Sequence, residues 1–264
     1  NTDPTPATRT WTVEAPAPAP DCTTVVSSVS AAQSAVTAAS AGSVVCLANG
    51  SYPRLVLSAT KPAPGVIVRA QNAGQATIAG AGISGSRLTL ARFVSTGSVQ
   101  IQPGATQVTV EHNRITGGGQ GIDAGPTSTT TLNDIAVVGN QLIGPFGEDA
   151  IHLNRYHDGD GDGVGILIEG NEITQVRENG NHSDCLQTVW VGDHLYFRRN
   201  YLHDNRCQGF FVKDQPAPVS DVVRADNLML RNAAPCAPPR SGCGPPLIGQ
   251  IFGPTAGIRI SRNT

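Results

Sequence analysis

No apolar stretch in this sequence of 264 residues reaches the roughly 20 residues needed to span a bilayer, and the chain opens on polar Asn1-Thr2-Asp3. No membrane partner is expected, and the chain reads as soluble and already processed. Charge is scarce as well: charged residues make up 14%, the formal net charge is −2, and only two of the 18 basic residues are lysines, Lys61 and Lys213. No basic run is present, so a nucleic-acid partner is not expected. Aromatics reach only 5% and Met occurs once, whereas Gly (30) and Pro (19) are plentiful, which fits many short strands and turns better than a helical bundle. Cys-x-x-Cys spacing is missing, which argues against a zinc or redox site. The six cysteines fall instead as sequence-near pairs, Cys22 with Cys46, Cys185 with Cys207 and Cys236 with Cys243. Disulfides and a secreted protein are the expectation, with six separately buried thiols as the alternative. An apolar share of 39% is enough for a sizeable core, so a small disulfide-held scaffold is excluded.

Residues 1–20 are rich in Thr, Pro and Ala and read as an extended tail, leaving 21–264 as one domain. Ser28 to Ala39 carries no Pro or Gly and is followed by Gly42, so a short helix is predicted there. Val44-Val45-Cys46-Leu47 reads as the first strand and Ala48-Asn49-Gly50-Ser51-Tyr52 as its turn. From residue 55 onward a unit recurs: an alternating strand, a turn holding Asn, and a second short apolar strand. Its Asn residues are Asn113, Asn140, Asn171, Asn200, Asn227 and Asn263, spaced by 27, 31, 29, 27 and 36 residues. Such variable spacing suits a solenoid whose loops differ in length better than a propeller or a helical repeat. The fold class expected from the repeat is all-β, a parallel β-helix with a short N-terminal capping helix, in which equivalent positions stack about 4.8 Å apart. Asn suits the turn because it tolerates left-handed backbone and its amide can hydrogen-bond along the stack. Arg262-Asn263-Thr264 stops inside a repeat, so further coils are expected beyond it.

The predicted helix, the run from Gly42 to Tyr52 and the Asn ladder resemble the right-handed parallel β-helix superfamily of pectate lyases and polygalacturonases, over roughly residues 22–264. The resemblance implies the fold directly and the reaction only as a set of options, because one fold hosts many chemistries.

Chemistry concentrates between Glu148 and Asp214, which hold 12 of the 20 acidic residues and five of the six histidines. Aligning the repeats by their apolar positions stacks Gln120-Gly-Ile-Asp123, Asp149-Ala-Ile-His152, Asp184-Cys-Leu-Gln187 and Gln208-Gly-Phe-Phe211. Asp149 and Asp184 then share one column, and His152 and Gln187 share the next. Three readings follow. In the first, Glu148, Asp149 and Asp184 hold Ca²⁺, which acidifies a uronic acid, and Lys213, with Arg206 as second choice, removes its α-proton in a β-elimination. In the second, Asp149 and Asp184 act as the acid and base of a glycoside hydrolase. In the third, the chain is non-catalytic, a secreted β-helix that binds carbohydrate or only spaces, with its exposed acids solvated.

The family resemblance bears on each reading. Gly147-Glu148-Asp149-Ala150 looks like the Gly-Glu-Asp-Ala of small pectate lyases, which implies Ca²⁺ on those acids. Asp184-Cys185-Leu186-Gln187 stands for their Asp-Lys-x-x-Gln, with Cys185 in place of the Lys, and Arg206-Cys207-Gln208-Gly209 for their Arg-Ser-Cys-Gly. Ser183-Asp184-Cys185-Leu186 and Val212-Lys213-Asp214 are similar to stretches of polygalacturonases, without the first Asp of their doublet or their Gly-His-Gly.

Smaller signals add to the set. Asp158, Asp160 and Asp162 alternate with Gly as in the first half of a Ca²⁺ loop. His182 precedes the acid column and is a candidate acid, base or substrate contact. Trp190, Tyr156 and the pair Phe210-Phe211 offer faces for stacking on sugar, one Phe being expected in the core. His194 and His203 read as ordinary turn residues. The expectation is a secreted, monomeric enzyme acting on an extracellular acidic polysaccharide by Ca²⁺-assisted elimination. Lys213, Asp184, Asp149, His182 and Arg206 are the catalytic candidates, and His152, Gln187, Trp190 and Tyr156 hold substrate.

Overall fold

The computed structural model describes residues 20–125, 131–177, 183–189, 192–213, 219–230, 250–252, 255–256 and 259–263. The predicted tail up to residue 19, His182, Trp190, Cys236 and Cys243 lie outside the described residues, as do the side chains of Gln208 and Lys213.

The chain winds as a right-handed parallel β-helix. Three sheets run along it: sheet A with 12 strands, and sheets B and C with 8 each. One coil shows the plan. Thr106–Glu111 lies in sheet A, a tight turn leads to Arg114–Ile115 in sheet B, and a longer connection leads to Ile122–Ala124 in sheet C. Each strand pairs in parallel with its equivalent one coil on, so equal positions form columns. Val108, Ile135, Ile166, Leu195 and Val222 are such a column in sheet A, and Ile122, Ile151, Leu186 and Phe210 in sheet C. All are buried, and they form the core. Burying each of these side chains stabilises the solenoid by about 1.5–3 kcal/mol before entropy is counted.

The turn between sheets A and B carries the Asn ladder, with a different division of labour from the one expected. The left-handed residue is the one before each Asn: His112 (φ 52°), Gly139 (62°), Gly170 (66°), Arg199 (56°) and Asp226 (56°). The Asn side chains point inward and are buried from Asn113 to Asn227. Each Oδ1 accepts the backbone N–H and the Nδ2–H of the Asn one coil earlier, as from Asn140 to Asn171 at 2.9 and 3.0 Å. The amide thus satisfies backbone groups that the two-residue corner leaves without a strand partner.

The predicted helix spans Val29–Ala38, with Ser28 as N-cap accepting from Ala31 N–H at 3.1 Å, and it covers the first coil with Ala32 and Val36. It ends at Ala38, where Ala39 turns to extended backbone (φ −62°, ψ 139°), and buried Lys61 donates from Nζ to the carbonyls of Thr37 (2.7 Å) and Ala39 (2.9 Å), closing the helix C-terminus with charge. The first strand is Thr24–Val26, paired with Val45–Leu47, rather than Val44–Leu47 as read from sequence. Disulfides join Cys22 to Cys46 and Cys185 to Cys207, as expected. Among the described residues no helix is long and apolar enough to cross a membrane.

Candidate active site

Strand alternation decides which side chains of sheet C meet solvent. In Ile151–Asn154, Ile151 and Leu153 are buried, so His152 and Asn154 face outward. The parallel register then aligns Gln100, Asp123, His152 and Gln187 in one outer column. Arg54 extends it: its Nη2 donates at 2.7 Å to both Gln100 Oε1 and the Ala81 carbonyl. The guanidinium lies over Gly82, where a Cβ would be in van der Waals contact with Nη2 at 3.4 Å. A polar row therefore crosses the outer face over neighbouring coils.

At its centre, His152 Nδ1 lies 3.1 Å from Asp123 Oδ1. Asp123 is only 3% exposed, while the His152 side chain keeps 15%. Burial works against the charged imidazole. The hydrogen bond that Asp123 accepts and the charges of Asp149, Asp123 and Glu148 outweigh it and hold the His152 pKa above its ordinary value. Glu148, beside this row, accepts from Gln120 Nε2 at 2.6 Å.

Asp149 and Asp184 stack on adjacent coils, each two residues before the paired Ile151 and Leu186. The same alternation turns them inward, because positions two apart share a face. They are 1% and 0% exposed, and Asp149 Oδ1 accepts the backbone N–H of Asp184 at 2.7 Å. Burial first, and then the Asp184 carboxylate, raise the Asp149 pKa to about 7. These two acids therefore do not reach substrate on the outer face, which corrects their expected place as a catalytic pair. Nor do Glu148, Asp149 and Asp184 form a three-carboxylate cluster: among the described residues only Asp134, Asp158 and Asp160 bring ligand atoms within 4.8 Å of one another. Tyr156 is a second correction, since at 1% exposure it belongs to the core rather than to a sugar-stacking face.

The Asp158 loop is closed by its own carboxylates. Asp158 accepts from Gly161 and Gly163 N–H, both at 2.8 Å, and Asp162 from Val164 N–H at 2.7 Å. Asp162 lies outside the cluster and Asp134 replaces it. Sequence spacing missed Asp134 because it comes from the previous coil, on Leu132–Val138, where the pairing of Asn133 with His157 brings it alongside. His194 is likewise more than a turn residue: its Nδ1 is 3.6 Å from Asp158 and its Nε2 is 3.2 Å from Asp221. Arg206 is exposed at the entry to Gln208–Lys213, and its N–H donates to the Val176 carbonyl at 2.8 Å. In that strand the backbone of Lys213 pairs with Val189, two positions beyond the partners Gln187 and Phe211.

The fold is shared with an alginate lyase. The structure of alginate lyase from Paenibacillus sp. str. FPU-7 superimposes with a TM-score of 0.61 over 91% of this chain and 95% of that one, at 14% sequence identity. The PL6 family alginate lyase AlyGC gives 0.41 at 13% identity, over 80% of this chain and 40% of that one. Alginate lyase AlyF-OU02 gives 0.41 at 13%, over 89% and 61%. No family model matches the sequence, and no curated protein is similar to it. At such identities the likeness speaks for the β-helix alone, because one fold hosts many chemistries.

Proposed function

We propose that this chain is a polysaccharide lyase that cleaves a uronate-containing polysaccharide by β-elimination on the outer face of sheet C. The observation that carries the reading is the His152–Asp123 pair, open on one side and flanked in register by Gln187. Asp123 accepts from Nδ1–H of the neutral ring and leaves Nε2 as the acceptor. Elimination removes the proton on the carbon next to the uronate carboxylate, forms a carbon–carbon double bond and expels the glycosidic oxygen from the adjacent carbon. His152 Nε2 takes that proton, and Asp123 stabilises the imidazolium that results. Gln187 holds the sugar through its amide. Lys213 and Arg206 supply cationic charge from the next coil, with Lys213 as the alternative base and His182 as a further proton donor.

The donor set Glu148, Asp149 and Asp184 does not fit Ca²⁺, since two of the three are interior and Asp149 already accepts a backbone N–H. Asp134, Asp158 and Asp160 suit a hard oxygen-seeking cation better, and in this proposal they hold Ca²⁺ and fix the loop. The loss of an exposed carboxylate pair leaves hydrolysis with no equivalent support. Two disulfides suit an oxidising compartment, and the proposal places the enzyme outside the cell, as a monomer acting on extracellular polysaccharide.

The test is incubation with polymannuronate, polyguluronate and polygalacturonate. An unsaturated product absorbing in the near ultraviolet is expected. New reducing ends without that absorbance would mean hydrolysis, and no product from any acidic polymer overturns the proposal.

A further inference from the structure

A second open site lies on sheet A, away from the His152 row. It is a cleft of about 520 Å³, within the roughly 300–1,000 Å³ of small-ligand sites. Its shape follows from the register. Tyr196, Val223 and Arg259 form one outer column, and Arg198, Ala225 and Ser261 the next. On the middle strand Val223 thus lies between the longer Tyr196 and Arg259, and Ala225 beside Arg198, so these two short side chains form the floor of the cleft.

The charges do not cancel in pairs. Arg198 and Arg199 share one carboxylate, Glu169, at 3.0 and 2.6 Å, and Arg262 holds Asp226 through two bonds of 2.6 and 2.8 Å. Arg259 is exposed and has no ion-pair partner among the described residues. Four guanidinium groups therefore line one cleft, together with the partly exposed ring of Tyr196, which carries Arg198 at 5.7 Å from its centroid. Guanidinium recognises carboxylate in a planar, two-bonded fashion, and the Tyr196 ring under Arg198 steadies that group on the cleft wall. Asp221, which lines the cleft beside His194 at 3.2 Å, is an acceptor suited to sugar hydroxyls.

The geometry points to a carboxylated oligosaccharide as the occupant, bound on sheet A at a site distinct from the proposed elimination site. The inference goes beyond that elimination and does not require it. It gives the chain a second hold on an acidic polymer, so that one molecule grips a strand it is not cleaving.

The test uses the full chain carrying His152→Ala, titrated by calorimetry at low salt with tetramers of mannuronate, guluronate and galacturonate. Maltotetraose and sodium sulfate serve as the uncharged and the sugar-free probe. At least one uronate tetramer is expected to bind, and Arg259→Glu and Ala225→Trp are each expected to weaken it at least tenfold. Arg259 is exposed, so its exchange does not threaten folding; a thermal melt checks the Trp variant. Affinity unchanged in Arg259→Glu, no binding at all, or maltotetraose or sulfate binding as tightly as the tetramer overturns the site. Turnover of polyuronate by the unmodified chain is scored separately. Binding through Arg259 without turnover sinks the elimination alone, and turnover with binding indifferent to Arg259 sinks this site alone.

Discussion

Asp149 of one coil accepts the backbone N–H of Asp184 on the next at 2.7 Å, so two stacked acids act on each other inside the solenoid and not on a ligand outside it. Asp149 is held neutral more easily than a free carboxyl, with its pKa raised to about 7 from 3.8. The sign follows directly. The folded chain binds this proton more tightly than the unfolded chain does, so the stabilisation is complete below about pH 4 and is lost as pH rises through about 7. A tenfold difference in proton affinity between the two states corresponds to about 1.4 kcal/mol. Asp149→Asn keeps an acceptor for the Asp184 N–H and removes the ionisation. Its melting temperature relative to the parent is expected to rise between pH 4 and 8. A difference that stays flat over that range would refute the assignment.

His152 and Asp123 give the kinetic prediction. His152→Ala should lower kcat about a hundredfold or more, the usual weight of a general base. Asp123→Asn removes the main partner that raises the His152 pKa, so the acidic limb of the rate profile should move to lower pH while kcat falls. Lys213→Ala distinguishes the two candidate bases. If it abolishes turnover while His152→Ala keeps its rate and pH profile, the lysine is the base and the imidazole only binds.

Much of this architecture is legible in the sequence, and the limits have a physical pattern. The Asn ladder is visible because a two-residue corner tolerates few side chains that can serve the backbone, and the alignment of Asp149 with Asp184 and of His152 with Gln187 matches the pairing of the strands. The facing of the acids is harder to read, although strand parity already puts Asp149 on the side of Ile151 and Leu153. Their charge suggests solvent, and position decides otherwise. Asp134 and Lys61 escape for another reason. Each acts on a segment about 24 residues distant, through loop conformations that periodicity does not describe.

The Asp134–Asp158–Asp160 cluster predicts a stability effect that needs no substrate. Millimolar Ca²⁺ should raise the melting temperature of the parent by several degrees, since a ligand at 100 times its Kd contributes about 2.7 kcal/mol. Chelator should reverse the rise. Asp134→Asn should abolish the response, and Asp162→Asn, outside the cluster, should keep it. A parent indifferent to Ca²⁺ removes the cation from the proposal and leaves a loop held by its own Asp-to-backbone bonds.

Asn171 provides the strictest test of the fold. Its Oδ1 accepts from the Asn140 backbone and side chain, at 2.9 and 3.0 Å, and its Nδ2 donates to the Val137 carbonyl at 2.9 Å and to Asn200 Oδ1 at 3.0 Å. It is completely buried, so water cannot replace what a substitution removes. Each unpaired buried group costs about 1–3 kcal/mol, so Asn171→Leu should cost several kcal/mol although the side-chain volume is nearly kept. Asn171→Asp retains the acceptor and loses the donors, and it places a carboxylate against two carbonyls within the stack. Its destabilisation should therefore ease as pH falls and the group is protonated. Denaturant melts at pH 4 and pH 8 measure both effects. Equal loss at the two values would mean that the amide fills space in the corner without bonding along the ladder.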